Sequence, residues 1–289
     1  MRSIEAIFLT FIVVMLGANI SAIPVNAQAI PPEIAVIPVK NSANIGEAFT
    51  INITITSYYE IDVNMWEIKL LFAPGVLSIM NKTSDIKEGD FLANAGSVLP
   101  LQIDNSTAGT LMIGQALEDT ENSASGNGTL VTVKFTVVGY GYSRLDLTDT
   151  KLYRSDLTEM SHISIDGEFR LTLLRLTPEK GICCVQIEGF GLLPSRLVSI
   201  QWDGDDVKFF PEGLQTDLEG NFLAFLVVPT PEVPGPHNIT ATAKDDIVTL
   251  SAVFTVLEII PEYPSLFILP LFMIATLLAV IVYIRKHTF

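Results

Sequence analysis

The side chains able to do chemistry are few. The 289 residues hold three histidines, His162, His237 and His287, and two cysteines, adjacent at Cys183 and Cys184. No H-E-x-x-H, C-x-x-C or G-x-S-x-G occurs, and no phosphate-cradling glycine loop. The residue sets of zinc proteases, dithiol oxidoreductases, serine hydrolases and nucleotide-binding proteins are therefore missing. A hydrolytic carboxylate pair cannot be read from sequence, because acids are abundant and their separations are set by the fold. The reading is of a non-enzyme with no cofactor. The best cation candidate is Asp203-Gly204-Asp205-Asp206. Carboxylates at its first and third positions suit a hard ion such as Ca²⁺. The pattern then fails, since Val207 stands fifth and Lys208 sixth, where a calcium loop needs glycine. The same residues read as a hairpin turn built on Asp-Gly, and Asp245-Asp246 reads as another turn.

Other polar signals belong to a surface. Asn52, Asn81, Asn105, Asn127 and Asn238 each begin an N-x-Thr sequon, a candidate glycan site in an exported chain. Tyr58-Tyr59, Tyr140 and Tyr142 fall near expected strand ends, where exposed rings stack on sugars and buried ones build core. Two neighbouring cysteines make no disulfide framework, and a ring between them is strained. Strand alternation predicts Cys183 as a small core residue and leaves Cys184 as a free thiol or an intermolecular bridge.

The ends of the chain supply an address. Arg2, the apolar run from Ala6 to Gly17, and Val25-Asn26-Ala27 read as a signal peptide over 1–27. Residues 266–284 are uncharged, and about 1.5 Å per residue makes this 19-residue helix roughly 28 Å long, enough for a hydrocarbon core. Arg285-Lys286-His287 follow it, so the tail 285–289 is expected inside and the body outside, as a single-pass cell-membrane protein. The neck 258–265 carries Pro261 and Pro264 and favours an extended spacer. Between Gln28 and Pro264 stand 14 Lys and Arg against 31 Asp and Glu, a net of −17. Such a surface repels nucleic acid and suits a soluble coat.

Between these ends the pattern is all-β. Phe49, Ile51, Ile53 and Ile55 alternate with Thr50, Asn52, Thr54 and Thr56. The same period of two runs through 66–72 and 131–137, and shorter strands are expected at 34–38, 75–79, 110–116, 144–148 and 162–173. Glycine- and proline-rich turns separate them, as in a sandwich.

These residues resemble the cohesin family. The series is Gly46-Glu47 with Phe49 to Ile53, then Glu67 to Leu70, Pro74, and Gly89-Asp90-Phe91-Leu92. Gly109-Thr110-Leu111, Gly128-Thr129-Leu130 and Gly141 to Leu147 complete it. The resemblance covers roughly 33–170. It implies a nine-stranded jelly-roll related to carbohydrate-binding modules, over 28–170, whose partner is a dockerin, a Ca²⁺-dependent helical module. A second series runs from Pro178 through Val198 to Asp203 and on to Ala252–Val256. It is similar to Ig-like domains of the IPT/TIG type and defines a sandwich over 171–257. Pro261-Glu262-Tyr263-Pro264, the apolar run and Arg285-Lys286 also resemble the PEF-type C-terminal sorting signals of archaea, in which the span is removed. The expectation is a membrane-anchored surface binding module resembling archaeal cell-surface proteins. Its alternatives are polysaccharide binding and a structural envelope role.

Overall fold

Period-two stretches become strands wherever one face finds a partner sheet. The computed structural model describes residues 30–229, 233–258, 272–281 and 283. The expected signal 1–27 and tail 285–289 lie outside the described residues, as does all of the neck except Glu258. Of the expected span 266–284, only 272–281 and 283 are described, and they are helical. Among the described residues no helix is long and apolar enough to cross a membrane.

The first thirteen strands are β1 (Glu33–Ile37), β2 (Lys40–Asn41), β3 (Ala48–Thr56), β4 (Met65–Leu71), β5 (Leu77–Ser78), β6 (Ile86–Glu88), β7 (Gln102–Asp104), β8 (Thr110–Ala116), β9 (Gly128–Val137), β10 (Gly141–Tyr153), β11 (Glu159–Met160), β12 (Ile163–Ile165) and β13 (Gly167–Leu171). One short helix, α1 (Lys82–Asp85), precedes β6. The expected count was nine, and the surplus comes from two- and three-residue edge pieces such as β2, β5 and β11. One sheet runs β12-β1-β3-β9-β5, with β6 also on β9. The facing sheet runs β2-β13-β10-β4-β8-β7, with β11 on β10. Burial alternates as the sequence pattern requires: Ile51, Ile53 and Ile55 of β3 point inward, as do Trp66, Ile68 and Leu70 of β4. Phe49, Phe72, Phe135 and Phe169 close the core in a chain of ring contacts, Phe49 to Phe169 at 4.9 Å and Phe72 to Phe135 at 5.0 Å.

A second core starts one residue later. Strands β14 (Leu173–Thr177), β15 (Lys180–Gly181), β16 (Cys184–Phe190), β17 (Val198–Trp202), β18 (Asp205–Asp206), β19 (Phe209–Phe210), β20 (Phe222–Val227), β21 (Gly235–Ala243) and β22 (Thr249–Val256) form two sheets. Their orders are β14-β16-β20-β19 and β15-β22-β21-β17-β18. Ile187, Ile200, Trp202, Ala224, Ile239 and Phe254 pack between them.

Only Thr172 separates β13 from β14, and the two sandwiches touch. Arg170 of β13 donates two hydrogen bonds to the Asp246 carboxylate, at 2.8 and 3.1 Å. The Tyr142 N–H donates to the Glu219 carbonyl at 2.7 Å, and the Tyr140 and Phe190 rings lie 6.0 Å apart.

Candidate functional site

The outer faces of the first sandwich differ. On the six-stranded sheet, the outward positions of β3 and β9 are Thr50, Asn52, Thr54, Thr132, Lys134 and Thr136. This face is hydroxyl-rich, and Asn52 Oδ1 accepts from the Thr132 hydroxyl at 2.8 Å. On the seven-stranded sheet, β8 turns Thr110, Met112, Gly114 and Ala116 outward. None of these is charged, and Met112 is 50% exposed.

Register builds a groove around that strand. Glu67 of β4 and Gln102 of β7 flank Gly114, while Lys69 and Asp104 flank Met112. Met65 stands beside Ala116, and the Leu99 N–H donates to the Ala116 carbonyl at 2.9 Å. With no side chain at Gly114, the middle of the face is a depression. A Cβ there would lie 3.2 Å from the Trp66 carbonyl oxygen and 3.4 Å from Glu67 Cγ. The groove holds about 600 Å³, with Met65, Met112, Leu99 and Pro100 as its apolar surface. Charged pairs ring it: Lys69 with Asp149 at 3.4 Å and Lys151 with Glu67 at 3.8 Å. Both pairs are solvated and contribute little to stability, so their charges are available to a partner. The Ser106 N–H, and then its hydroxyl, hold the Asp104 carboxyl below its ordinary range and keep it ionised at the rim. An apolar centre inside a polar rim is the anatomy of a protein-recognition patch.

The residues singled out from sequence fall elsewhere. Asp203 (φ 50°) and Gly204 (φ 94°) form the two-residue turn of the β17–β18 hairpin. The Asp203 carboxylate is occupied: it accepts from the Asn238 N–H at 2.7 Å and pairs with His237 Nδ1 at 2.7 Å. The Asn238 N–H, followed by His237, holds its pKa below the ordinary value. Asp206 accepts from the Gln201 amide at 3.1 Å, and Asp205 is exposed on β18. Among the described residues no group of three or more His, Cys, Asp or Glu is arranged to hold a metal.

Tyr58 and Tyr59 are exposed side by side, at 73% and 50%. Tyr140 and Tyr142 instead serve the junction, Tyr142 under the Arg170 guanidinium at 5.4 Å and bonded to Glu168. Cys183 is exposed rather than buried, because β16 begins only at Cys184 and alternation does not govern the residue before it. Cys184 is exposed as well. Each sequon asparagine is at least partly exposed. Asn81 caps α1, accepting from the Thr83 and Ser84 N–H groups through Oδ1. Asn127 Oδ1 accepts from the Ser57 N–H, and Asn105 lies in the turn beside Asp104 at the rim of the groove.

Sequence reasoning missed the groove. The available signal was Met112 and Gly114 at outward positions of a strand whose exposed face should be polar. It also missed Asp246 as a structural group and read it only as part of a turn.

No protein-family profile matches the chain, and no curated protein sequence matches it. Solved structures similar to it include cohesin domains. A non-cellulosomal cohesin from the hyperthermophilic archaeon Archaeoglobus fulgidus is 21% identical, over 48% of this chain and 90% of its own, with a TM-score of 0.38. A type II cohesin domain from the cellulosome of Acetivibrio cellulolyticus is 18% identical, over 49% and 96%, with a TM-score of 0.38. A type I cohesin–dockerin complex from Clostridium thermocellum is 11% identical, over 48% and 92%, with a TM-score of 0.39.

Proposed function

We propose that this chain is a non-catalytic, membrane-tethered surface protein whose first sandwich binds a protein partner through the groove on β10-β4-β8-β7. The observation that carries this reading is the uncharged centre at Met112 and Gly114, set within a rim of Glu67, Lys69, Asp104 and Lys151. The cohesin-like residue series supports a dockerin-type module as the partner class. The second sandwich, of Ig-like IPT/TIG type, is the stalk. The apolar run 266–284 is the tether, retained as a plain anchor or removed by a sorting enzyme. The test is a pull-down of dockerin-bearing proteins from the same organism, with and without Ca²⁺. Capture that is lost in Met112→Asp and in Gly114→Glu supports the reading. No captured dockerin, or capture indifferent to both substitutions, overturns it.

A second reading rests on Tyr58 and Tyr59, which present two adjacent exposed rings to solvent. Stacking on a surface polysaccharide would use them. A glycan array showing binding that disappears in Tyr58→Ala/Tyr59→Ala would favour this reading over the groove.

A further inference from the structure

The second sandwich carries apolar side chains at the end where the chain leaves it. The Leu257 N–H donates to the Gly181 carbonyl at 3.0 Å, and β15 pairs with Thr255 and Val256 of β22. The Val228 N–H donates to the Cys183 carbonyl at 2.8 Å, and Cys184 stands opposite Val227. Gly235 opens β21 opposite Val256. These contacts gather Ile182, Val227, Val233 and Leu257 at one end, and the four are 52%, 70%, 73% and 43% exposed. From Val227 the apolar surface continues up the outer face of β20 through Phe225 and Leu223, each 45% exposed. Strand β20 is thus apolar on both faces, the composition of a strand covered on both sides.

Chain length says what lies close to this end. Nine residues lead from Leu257 to Leu266, where the uncharged run begins. Fully extended, they reach at most about 30 Å. If the run spans a bilayer, the apolar end is confined within that distance of the lipid surface, and the short tether keeps its effective concentration there high. The charges nearby are Glu179, Glu258 and Asp203, the last paired with His237 beside Val233, against Lys180 and Lys208, which flanks Val227, so the end is close to neutral and a zwitterionic headgroup suits it better than an anionic one. We propose that this end of the second sandwich rests on the bilayer, with Ile182, Val227, Val233 and Leu257 among neutral lipid headgroups. The proposal rests on the tether reading above and adds a second contact with the membrane, made by strand ends and turns.

The native thiols at this end supply the probe. The full chain, as Cys184→Ser, is labelled at Cys183 with an environment-sensitive fluorophore and reconstituted into phosphatidylcholine vesicles. A second preparation lacks both cysteines and carries the label at Met112→Cys. Flotation with the vesicles reports the tether. Quenching by lipids bearing a nitroxide near the headgroup reports the contact. The expected result is a blue shift and loss of most of the Cys183 fluorescence, with the Met112→Cys label unaffected. Val227→Asp with Ile182→Asp should restore the Cys183 signal while the protein still floats. Flotation without quenching overturns the contact and leaves the tether standing. Failure to float overturns both. A Cys183 label shielded from aqueous iodide but untouched by the lipid nitroxide would mean that another copy of the chain covers this end, and would also overturn the proposal.

Discussion

Arg170 and Asp246 meet across the junction with side-chain exposures of 18% and 1%. Burial pushes the Asp246 carboxyl up, but the Arg170 guanidinium and the Leu193 and Val248 N–H groups together hold it below its ordinary value. A carboxyl depressed in the folded state contributes stability above its unfolded pKa, and that stability is lost as pH falls through the folded value. The junction should therefore loosen in acid, below the ordinary carboxylate pKa of 3.8. Asp246→Asn leaves Arg170 half-paired in a buried site, which costs about 3–5 kcal/mol when such a pair is broken. Scanning calorimetry across pH should show a lower midpoint for the variant at neutral pH. The gap should close as the pH falls below 4. A gap that stays constant would remove Asp246 as the titrating group. At the groove, Met112→Asp should leave the unfolding free energy within about 0.5 kcal/mol of the parent, because an exposed position carries little packing. That separates its effect on binding from any effect on folding.

At the scale of elements, Gly89-Asp90-Phe91-Leu92 shows how a short motif acts as a unit. The Gly89 N–H donates to the Leu130 carbonyl at 3.1 Å and the Phe91 N–H to the Thr129 carbonyl at 3.0 Å. Asp90 Oδ1 accepts from the Thr129 N–H at 2.8 Å. A Cβ at Gly89 would sit 2.0 Å from the Thr129 carbonyl oxygen, and one at Gly128 would meet Phe91 at 3.0 Å. The motif clamps the end of β6 onto β9, and each glycine is needed for the space it leaves. Gly89→Ala should therefore destabilise the first sandwich by about 1–3 kcal/mol, the usual cost of overpacking. Phe91→Ala should cost about 3–5 kcal/mol through a cavity. Denaturant midpoints measure both, and a neutral Gly89→Ala would mean that the clamp yields. Strand existence and facing were legible here because both follow from local alternation. Strand ends were less so: β10 runs on to Tyr153, past the expected 144–148, because a bulge between Thr148 and Lys151 lets the ladder with β4 resume.

At the scale of the whole molecule, the two sandwiches are joined by one residue and by side chains from both. On the proposed groove reading, the Arg170–Asp246 pair and the Tyr142–Glu219 contact would restrain a bound partner relative to the second sandwich. The tether reading predicts that protease added to intact cells removes residues 28 to about 262 and spares the cytoplasmic tail, as mass spectrometry of the retained peptide would show. Intact ectodomain after digestion of a control surface protein would contradict it. Glycans at Asn52 would cover the hydroxyl-rich face and leave the groove open, whereas one at Asn105 would stand at its rim. In a host that N-glycosylates, Asn105→Gln should raise partner capture and Asn52→Gln should not, read in the same pull-down.

The sequence by itself determined the all-β class, the absence of familiar catalytic motifs, most strand positions and the glycine-rich turns. These depend on residues within a few positions of one another, where side-chain period and backbone freedom act directly. It also carried the charge balance and the apolar C-terminal run, which are sums over the chain. Tertiary structure alone decided the groove, because Gly114 becomes a depression only when β4 and β7 place Glu67 and Gln102 beside it. It decided the exposure of Cys183, which depends on where β16 starts to pair. It turned Asp246 from a turn residue into the acceptor of Arg170, 76 positions earlier in the chain. Pairings at such separations are fixed by the packing of whole sheets, which no local window of the sequence contains.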